Sequence, residues 1–383
     1  MPEKLHPLIE YLLSYENKWC TVMDIYNPYG DPWPIKISKN MPDFDGQAFR
    51  KYRSHNYIYD KLFIAKTQGI HCGTLESLLA KEPKYITYPI FIKPRYGHKS
   101  ASSKNCFKIK SYNELDKYKD IPEMMWSEFI PETEGMTDYF LHNGNIVHQI
   151  TYVYSETQHG TIADDWKLVS PKSKPPIAIT NWVKENMKGF SGACNMQYRG
   201  EKIIEVGLRL GRGGAYIYST NNQTLIKAIN DLVNYNKWDY NLTKKDFDFK
   251  EYYSFKCYTT VPIIYLYPQY TLDYVMKKNN CKEFYEYYFE PEGKGMNMVC
   301  YQFLHEDFDK GMKLKKDLET IMGFTQILII LLLIIGILIT LYYDKTIGLI
   351  SLLILSVLYS TRLLNPISMH VNLWNSQKQA LFG

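Results

Sequence analysis

The sequence of 383 residues has no CxxC pair, although it contains seven cysteines scattered along the chain. An odd number of dispersed cysteines argues against a disulfide framework or a zinc site and indicates reduced, buried thiols. The net charge is only +5, so we expect no concentrated basic surface and no nucleic-acid partner. Internal repeats and low-complexity segments are also absent. No Gly-x-Gly-x-x-Gly fingerprint follows a strand in a βαβ unit, which argues against a dinucleotide-binding domain.

The first residues do not resemble a signal peptide, because charges interrupt their apolar stretch and no small-residue cleavage site follows. A long apolar run lies near the other end, where residues 320–343 carry no charge. Thirteen Leu or Ile residues between Phe324 and Tyr343 favour membrane insertion by about 4–8 kcal/mol. A helix of this length covers about 30 Å, one hydrocarbon core. The sequence therefore predicts a transmembrane helix.

A second apolar run, residues 346–364, is uncharged except for Arg362 and predicts the return helix of a hairpin with Asp344 and Lys345 at its tip. Four lysines precede the first span: Lys310, Lys313, Lys315 and Lys316. Positive charges of this kind stay on the cytoplasmic side. We therefore expect an integral membrane protein with its large N-terminal part in the cytoplasm.

The rest of the chain alternates short strands with a few helices. A polar loop containing Gly97 joins two predicted strands, and Asn143-Gly144 is typical of a hairpin turn. Ser111 and Glu114 form a capping box that predicts a short helix. The predicted strands are residues 89–93, 106–110 and 124–130 and two hairpins, and the predicted helices begin near 57 and 182. This pattern indicates an α+β fold with largely antiparallel sheets.

The second hairpin brings polar side chains to one face of a sheet. Because strand side chains alternate, Glu205, Gly207 and Arg209 share a face. A three-residue turn centred on Gly200 would place Asn195 opposite Glu205, with Gln197 diagonal to it. Oxygen ligands grouped in this way suit Mg²⁺ together with substrate phosphates. A solvated polar face explains the same pattern equally well, and the hairpin alone does not decide between the two.

Lys93 interrupts the apolar alternation of its strand, just before the loop that contains Gly97 and several serines. A lysine in this position can hold a phosphate as a point charge while loop amides bind its oxygens. The order of all these pieces resembles the ATP-grasp superfamily, in particular the carboxylate–amine ligase-like ATP-binding domains of carbamoyl phosphate synthetase and the amino-acid ligases. The resemblance covers residues 55–235, about half of the chain.

The resemblance implies four regions. Residues 1–54 would be a truncated N-terminal region, and residues 55–240 the nucleotide-binding core with two α+β subdomains gripping ATP. Residues 241–319 would be a C-terminal α+β subdomain with a basic juxtamembrane helix. The transmembrane hairpin and a short tail would occupy residues 320–383.

The resemblance also assigns roles to individual residues. Lys61 and Lys93 would contact the ATP phosphates, together with Ser100 of the loop. Backbone groups of Glu128, Phe129 and Ile130 would bind adenine, and Glu134 the ribose. Gln197 and Glu205 would hold Mg²⁺ or Mn²⁺. Arg209 would steady the acyl phosphate or substrate and act with Lys93 in catalysis, while Arg212 would be a second clamp on the carboxylate substrate.

The chain departs from the family pattern in three places, one of which is the truncated N-terminal region. Ser102 lies in the phosphate loop where glycine is common, and Gly207 replaces the asparagine of many members. The expected function is a membrane-anchored ligase that joins a small carboxylate to an amine or thiol through an acyl phosphate. A degenerate ATP-binding scaffold and a structural membrane protein are the alternatives, and the sequence does not show whether catalysis survives Gly207.

Overall fold

The computed structural model describes residues 37–42, 45–80, 86–99, 105–156, 158–159, 163–211, 215–259, 278–279, 281–284, 298–342, 345–350 and 353. The chain divides into two compact units, one around Trp33–Glu251 and one around Tyr252–Ser376. The first contains the residues implicated by the sequence. The sequence also predicts a helix at 7–15 and a possible strand at 20–26, and both lie outside the described residues.

A small antiparallel sheet forms one part of the first unit. Its strands are β1 (Cys72–Thr74), β2 (Ile90–Pro94), β3 (Phe107–Ile109) and β4 (Met124–Glu128), in the spatial order β1-β4-β2-β3. Ile90, Ile92 and Ile109 are buried in a core that also contains Trp126. Because β2 alternates, its outward positions are left for polar residues such as Lys93.

A larger antiparallel sheet forms the other part of this unit. Its strands are β5 (Glu134–His142), β6 (Asn145–Tyr154), β9 (Trp166–Ser170), β10 (Gly192–Arg199) and β11 (Lys202–Gly207). They lie side by side in the order β11-β10-β5-β6-β9. A short pair, β7 (Gln158–His159) and β8 (Ala163–Asp164), lies between β6 and β9 in sequence. The hairpin at Asn143-Gly144 is confirmed, and both residues have the positive φ that its turn requires.

Helices pack against both sheets of this unit. These are α1 (Asp45–Lys51), α2 (Lys61–Thr67), α3 (Leu75–Ala80), α4 (Ile177–Asn186), α5 (Ala215–Ser219) and α6 (Gln223–Tyr235), with 3₁₀ turns at Arg53–Tyr59, Gly97–Lys99 and Tyr112–Tyr118. Residues of α2 and α4, including Ile64 and Trp182, pack on the apolar face of β10 and β11. The polar residues of the site lie on the opposite face of these two strands.

Two helix ends show how local chemistry fixes these elements. The carboxylate of Asp60 accepts a hydrogen bond from Leu62 N and begins α2, so that Lys61 is its first residue. The predicted capping box is wrong in part. The segment after Ser111 is a 3₁₀ turn, and the Ser111 side chain makes no capping bond, whereas Glu114 accepts from Lys110 N.

The second unit contains β12 (Tyr252–Thr259), β13 (Lys282–Phe284), β14 (Met298–His305) and α7 (Phe308–Tyr342). β14 pairs antiparallel with both other strands. Gly311 lets α7 approach β12, because a Cβ there would lie 2.2 Å from the Phe255 ring. The sequence also predicts a turn near residues 293–295, which lies outside the described residues.

The apolar half of α7 presents its aliphatic side chains outward. The exposed ones are Ile327, Leu328, Leu331, Leu332, Ile334, Ile335, Ile337 and Leu338. Among the described residues, however, no helix has both the length and the apolar character of a membrane span. Residues 345–350 are helical, and most of the predicted return helix lies outside the described residues. The structure therefore does not show the predicted membrane hairpin.

Candidate active site

The register of β10 and β11 differs from the predicted one. Gln197 lies opposite Glu205, and Asn195 lies opposite Gly207. The prediction that Asn195 opposes Glu205 is wrong because it assumed a regular ladder after a three-residue turn. The turn has two residues, and a bulge shifts the register beyond Tyr198. Glu205 and Gln197 are therefore directly opposed on the polar face.

The bulge also creates an acceptor for Lys93. Ile204 is the extra residue of the bulge and has no partner residue in β10. Its carbonyl oxygen accepts a hydrogen bond of 2.8 Å from Lys93 Nζ. This contact brings the end of β2 in the small sheet to β11 in the large one. Burial, followed by the charge of Lys61, lowers the pKa of Lys93 to about 8, although Glu205 opposes the shift. Lys93 is therefore an ammonium close to its titration point at neutral pH.

Glu205 forms an ion pair with Lys61 at the start of α2. Lys61 Nζ lies 3.0 Å from Glu205 Oε1, and the lysine side chain is 5% exposed against 34% for the glutamate. Burial acts to raise the pKa of Glu205, but the cations of Lys61, Lys93 and Arg209 outweigh it and lower the pKa. Glu205 is therefore a stable carboxylate surrounded by three cationic side chains.

The loop after β2 closes on this pair. A Cβ on Gly97 would lie 3.4 Å from Glu205 Oε1 and 3.6 Å from Lys61 Cε, so the loop backbone lies next to both charged groups. His98, the following residue, stacks on Phe49 with ring centroids 3.7 Å apart. Burial and the charge of Lys99 lower the pKa of His98 to about 4, so its ring is neutral at pH 7.

Arg209 lies in a contact that the sequence patterns did not predict. Its Nε and Nη2 donate to Asp45 Oδ2 at 3.0 and 2.7 Å. Tyr59 donates to the other oxygen of Asp45 at 3.1 Å and accepts a bond from Leu208 N. Asp45 belongs to α1, in the region that the resemblance left out. No motif marks it, and the 164 residues between it and Arg209 hide the contact from periodicity.

The side chain at position 207 would compete with Asp45 for space. A Cβ on Gly207 would lie 2.7 Å from Asp45 Oδ1, closer than such contacts normally are. The asparagine that many family members carry at this position therefore does not fit unless Asp45 moves. The absence of a side chain at 207 and the presence of Asp45 are two parts of one arrangement.

Asn195 donates a hydrogen bond to the buried carboxylate of Asp138 and does not lie opposite Glu205. Its Nδ2 donates to Asp138 Oδ1 at 2.7 Å, and Gly211 N donates to the same oxygen at 2.9 Å. Tyr152 donates to the other oxygen of Asp138. Burial raises the pKa of Asp138 despite these three donors. Asp138 thereby ties the first glycine after Arg209 to the sheet.

The predicted nucleotide hinge follows β4. Glu128 N donates to His71 O at 2.9 Å, and Ile130 packs against a buried cluster that contains Leu62 and Ile70. Lys108 Nζ lies 3.8 Å from the ring centroid of Phe129, in a cation–π contact. These contacts fix the connection between the two sheets.

Glu134, the predicted ribose residue, forms an ion pair with Arg199 Nη2 at 3.2 Å. Ser100 and Arg212 lie outside the described residues, so their predicted roles stay predictions. The structure therefore brings Lys61, Lys93 and Glu205 together, with Gln197 opposite, while Glu134 sits in a separate pair.

The donor set limits the kind of metal ion that fits. In the described part of the chain, no group of three or more His, Cys, Asp or Glu residues is placed to hold a metal. Mg²⁺ usually binds one or two carboxylates and takes its other oxygens from phosphates and water. Glu205, with the neutral oxygen of Gln197, fits a Mg²⁺ site of this kind, in which phosphates and water supply the other oxygens. A metal ion here would therefore depend on the nucleotide.

Two solved structures resemble this chain in fold. Carboxyaminoimidazole ribonucleotide synthase from Aspergillus clavatus, determined with ATP, aligns with a TM-score of 0.51 and 9% identity over 72% of this chain and 74% of that one. N5-carboxyaminoimidazole synthase from the same organism, determined with ADP and 5-aminoimidazole ribonucleotide, aligns with a TM-score of 0.50 and 10% identity over 73% and 80%. The chain has the ATP-grasp fold.

No family model matches the chain, and no curated protein is significantly similar in sequence. The likeness is therefore one of fold alone. The polar face described above lies within this fold, in the unit that contains both sheets.

Proposed function

We propose that the protein is an ATP-dependent ligase that joins a carboxylate to an amine or thiol through an acyl phosphate. The observation that carries this proposal is the group of three cations, Lys61, Lys93 and Arg209, around the Glu205 carboxylate. Phosphoryl transfer depends mainly on positioning and on neutralising the charge of phosphate oxygens. The ATP-grasp fold supports the same interpretation.

ATP would bind between the two sheets. The backbone of Glu128, Phe129 and Ile130 would contact adenine, and Glu134 would contact the ribose after exchanging its bond with Arg199. Lys93 and Lys61 would donate to phosphate oxygens, since each now bonds an oxygen that a phosphate can replace. The backbone next to Gly97 would cover the phosphates and exclude water. Ser100 would contribute its hydroxyl to the same loop.

Glu205 and Gln197 would hold Mg²⁺ or Mn²⁺ against the ATP phosphates. When bound, the ion would supply positive charge that neutralises the phosphate oxygens. Lys61 would then transfer from Glu205 to a phosphate oxygen, which keeps the buried ammonium paired. Arg212 would clamp the carboxylate substrate beside Arg209.

The reaction would have two steps. A carboxylate oxygen attacks the γ-phosphorus of ATP, the bond to the β-phosphate oxygen breaks, and ADP leaves with that electron pair. The substrate amine then attacks the acyl carbon, phosphate leaves with the former carboxylate oxygen, and the attacking nitrogen loses a proton to solvent to give the amide. Arg209 would stabilise charge on the transferred phosphoryl group in both steps.

MgATP affinity should decrease above pH 8. Lys93 has a pKa of about 8 in the free protein, and a bound phosphate would raise it. Between these two values the free protein must take up a proton to bind, so the dissociation constant should rise by up to about tenfold per pH unit. Titration calorimetry at pH values from about 7 to 9.5 measures this slope.

The Lys93→Arg variant provides the control, because a guanidinium stays charged throughout this range. Its MgATP affinity should vary little with pH. Lys61 has a raised pKa and should not contribute to the slope. A wild-type profile that is flat up to about pH 9.5 would contradict a role for the Lys93 cation.

A degenerate domain that binds ATP without turnover is the second candidate. It is favoured by the pairs Lys61–Glu205 and Arg209–Asp45, which already neutralise the groups that catalysis needs. ADP release from the full-length protein that depends on an added carboxylate substrate distinguishes the two candidates. Panels of amino acids and small carboxylates should elicit ADP from a ligase and none from a scaffold.

We further propose that the C-terminal residues anchor the protein in a membrane with the large N-terminal part in the cytoplasm. The support is the uncharged run 320–343 and the lysines before it. Alkaline carbonate should leave the full chain in the membrane pellet, whereas a chain ending at Leu318 should be soluble and folded. Complete release of the intact chain by carbonate would contradict the anchor.

A further inference from the structure

Arg209 is oriented by a carboxylate from another part of the chain. Two of its N–H groups bond Asp45 Oδ2, and Nη1 donates to Leu210 O at 3.0 Å. A guanidinium has five N–H donors, so these three bonds leave two, one on Nη1 and one on Nη2. Donors on these two nitrogens suit the oxygens of a phosphate or a carboxylate.

Asp45 is itself held firmly. Tyr59 donates to its Oδ1 at 3.1 Å, and the Asp45 side chain is only 19% exposed. Leu208 N donates to Tyr59 OH, which links this contact to the chain just after β11. The carboxylate therefore has partners on both of its oxygens and cannot rotate without losing one of them.

The position of Asp45 depends on Gly207. The Cβ of any other residue at 207 would lie 2.7 Å from Asp45 Oδ1 and 3.6 Å from Arg209 Cγ. Asp45 thus takes up the space that a side chain of β11 would fill on the polar face. No positive φ is required at 207, so what the glycine provides is room.

We propose that Asp45 is the positioning residue for Arg209, turning its remaining N–H groups towards the phosphoryl group that leaves ATP. This rests on the proposed function. Arg209 follows the strand that carries Glu205, and both Lys61 and Lys93 reach that strand. The transferred phosphoryl group is the anion that these cations would share. MgADP lacks it, so the contribution of Asp45 should be confined to MgATP.

The first test compares the affinities for MgATP and MgADP in the full-length, detergent-solubilised protein. Asp45→Ala should weaken MgATP binding about tenfold and MgADP binding less than about twofold, and Asp45→Asn should lie in between. Arg209→Lys should resemble Asp45→Ala. The double variant should show no further loss, because both changes remove one interaction. Asp116→Ala, which removes an exposed partner of Lys119, should leave both affinities unchanged.

The second test moves the carboxylate to the strand. In Asp45→Ala/Gly207→Asp, the new side chain starts within 2.7 Å of the place that Asp45 Oδ1 now occupies. This variant should regain the preference for MgATP to within about threefold of wild type. Gly207→Asp alone brings two carboxylates together and should lower the melting temperature.

The outcomes separate this inference from the proposed function. A wild-type protein that binds neither nucleotide overturns both. If wild type prefers MgATP and Asp45→Ala weakens MgATP and MgADP equally, Asp45 is merely structural and only the inference is wrong. Unchanged MgATP affinity in Asp45→Ala, or additive losses in the double variant with Arg209→Lys, has the same meaning. Neither of these measurements requires turnover.

Discussion

Glu205→Gln is expected to lower carboxylate-stimulated ADP formation by about a thousandfold while leaving the fold intact. The substitution keeps the shape of the side chain, and its amide oxygen can still accept a bond from Lys61 Nζ. It removes the charge of the one carboxylate among the predicted metal ligands, so Mg²⁺ would lose its anionic protein partner. Loss of one preorganised electrostatic group typically costs about 10²–10³ in rate. ADP release at saturating MgATP measures the effect.

The controls for Glu205→Gln separate charge at the metal from loss of the ion pair. Gln197→Ala removes only a neutral oxygen opposite Glu205 and should lower the rate far less. Lys61→Met/Glu205→Gln removes both charges of the pair, and its melting temperature shows how much the pair contributes to stability. Wild-type turnover in Glu205→Gln, or activity without divalent cations, would contradict the assignment.

Lys93→Met should weaken MgATP binding by about 10–100-fold. The methionine replaces an ammonium by an apolar group of similar length, and a charge-assisted bond to phosphate contributes about 1.5–3 kcal/mol. The Ile204 carbonyl would also lose its donor. The shift in melting temperature produced by MgATP, compared with that of wild type, measures the loss.

Lys99→Met is the matched control for this prediction. Lys99 lies in the loop after β2 but points to Glu123, with its Nζ 2.8 Å from Oε1, and both side chains are exposed. Its removal should change the MgATP dissociation constant by less than about twofold, since exposed pairs contribute little. Equal shifts in both variants would place the phosphate site elsewhere.

The sequence predicted the elements of the core because its local patterns are strong. The alternation around Lys93 gave β2, and Asn143-Gly144 gave a hairpin whose turn has the required positive φ. The α+β class and the antiparallel sheets are confirmed in the described residues. Local periodicity was sufficient for these features because each depends on residues close together in sequence.

The register of the site could not be predicted in the same way. The apolar residues Ile203 and Val206 both face the core of the larger sheet, although three positions apart they would lie on opposite faces of a regular strand. The bulge between them resolves this conflict and moves Asn195 away from Glu205. A bulge has little local signal here, because Ile204 resembles any other strand residue.

Asp45 was missed for a different reason. Its contact with Arg209 joins residues 164 positions apart, and α1 carries no motif of its own. The sequence shows that position 207 is a glycine without a side chain. Only the folded structure shows that the Asp45 carboxylate occupies the space beside it. Long-range charge pairs of this kind need the structure.

The most direct measurement is the fate of a carboxylate oxygen. The full-length protein would be incubated with MgATP, an amine and a carboxylic acid from the active panel, labelled with ¹⁸O in its carboxyl group. If the carboxylate attacks the γ-phosphorus and the amine later displaces phosphate, one ¹⁸O atom must appear in the released phosphate. Unlabelled phosphate from every acid that stimulates ADP release would contradict the acyl-phosphate mechanism, since water would then be the attacking group.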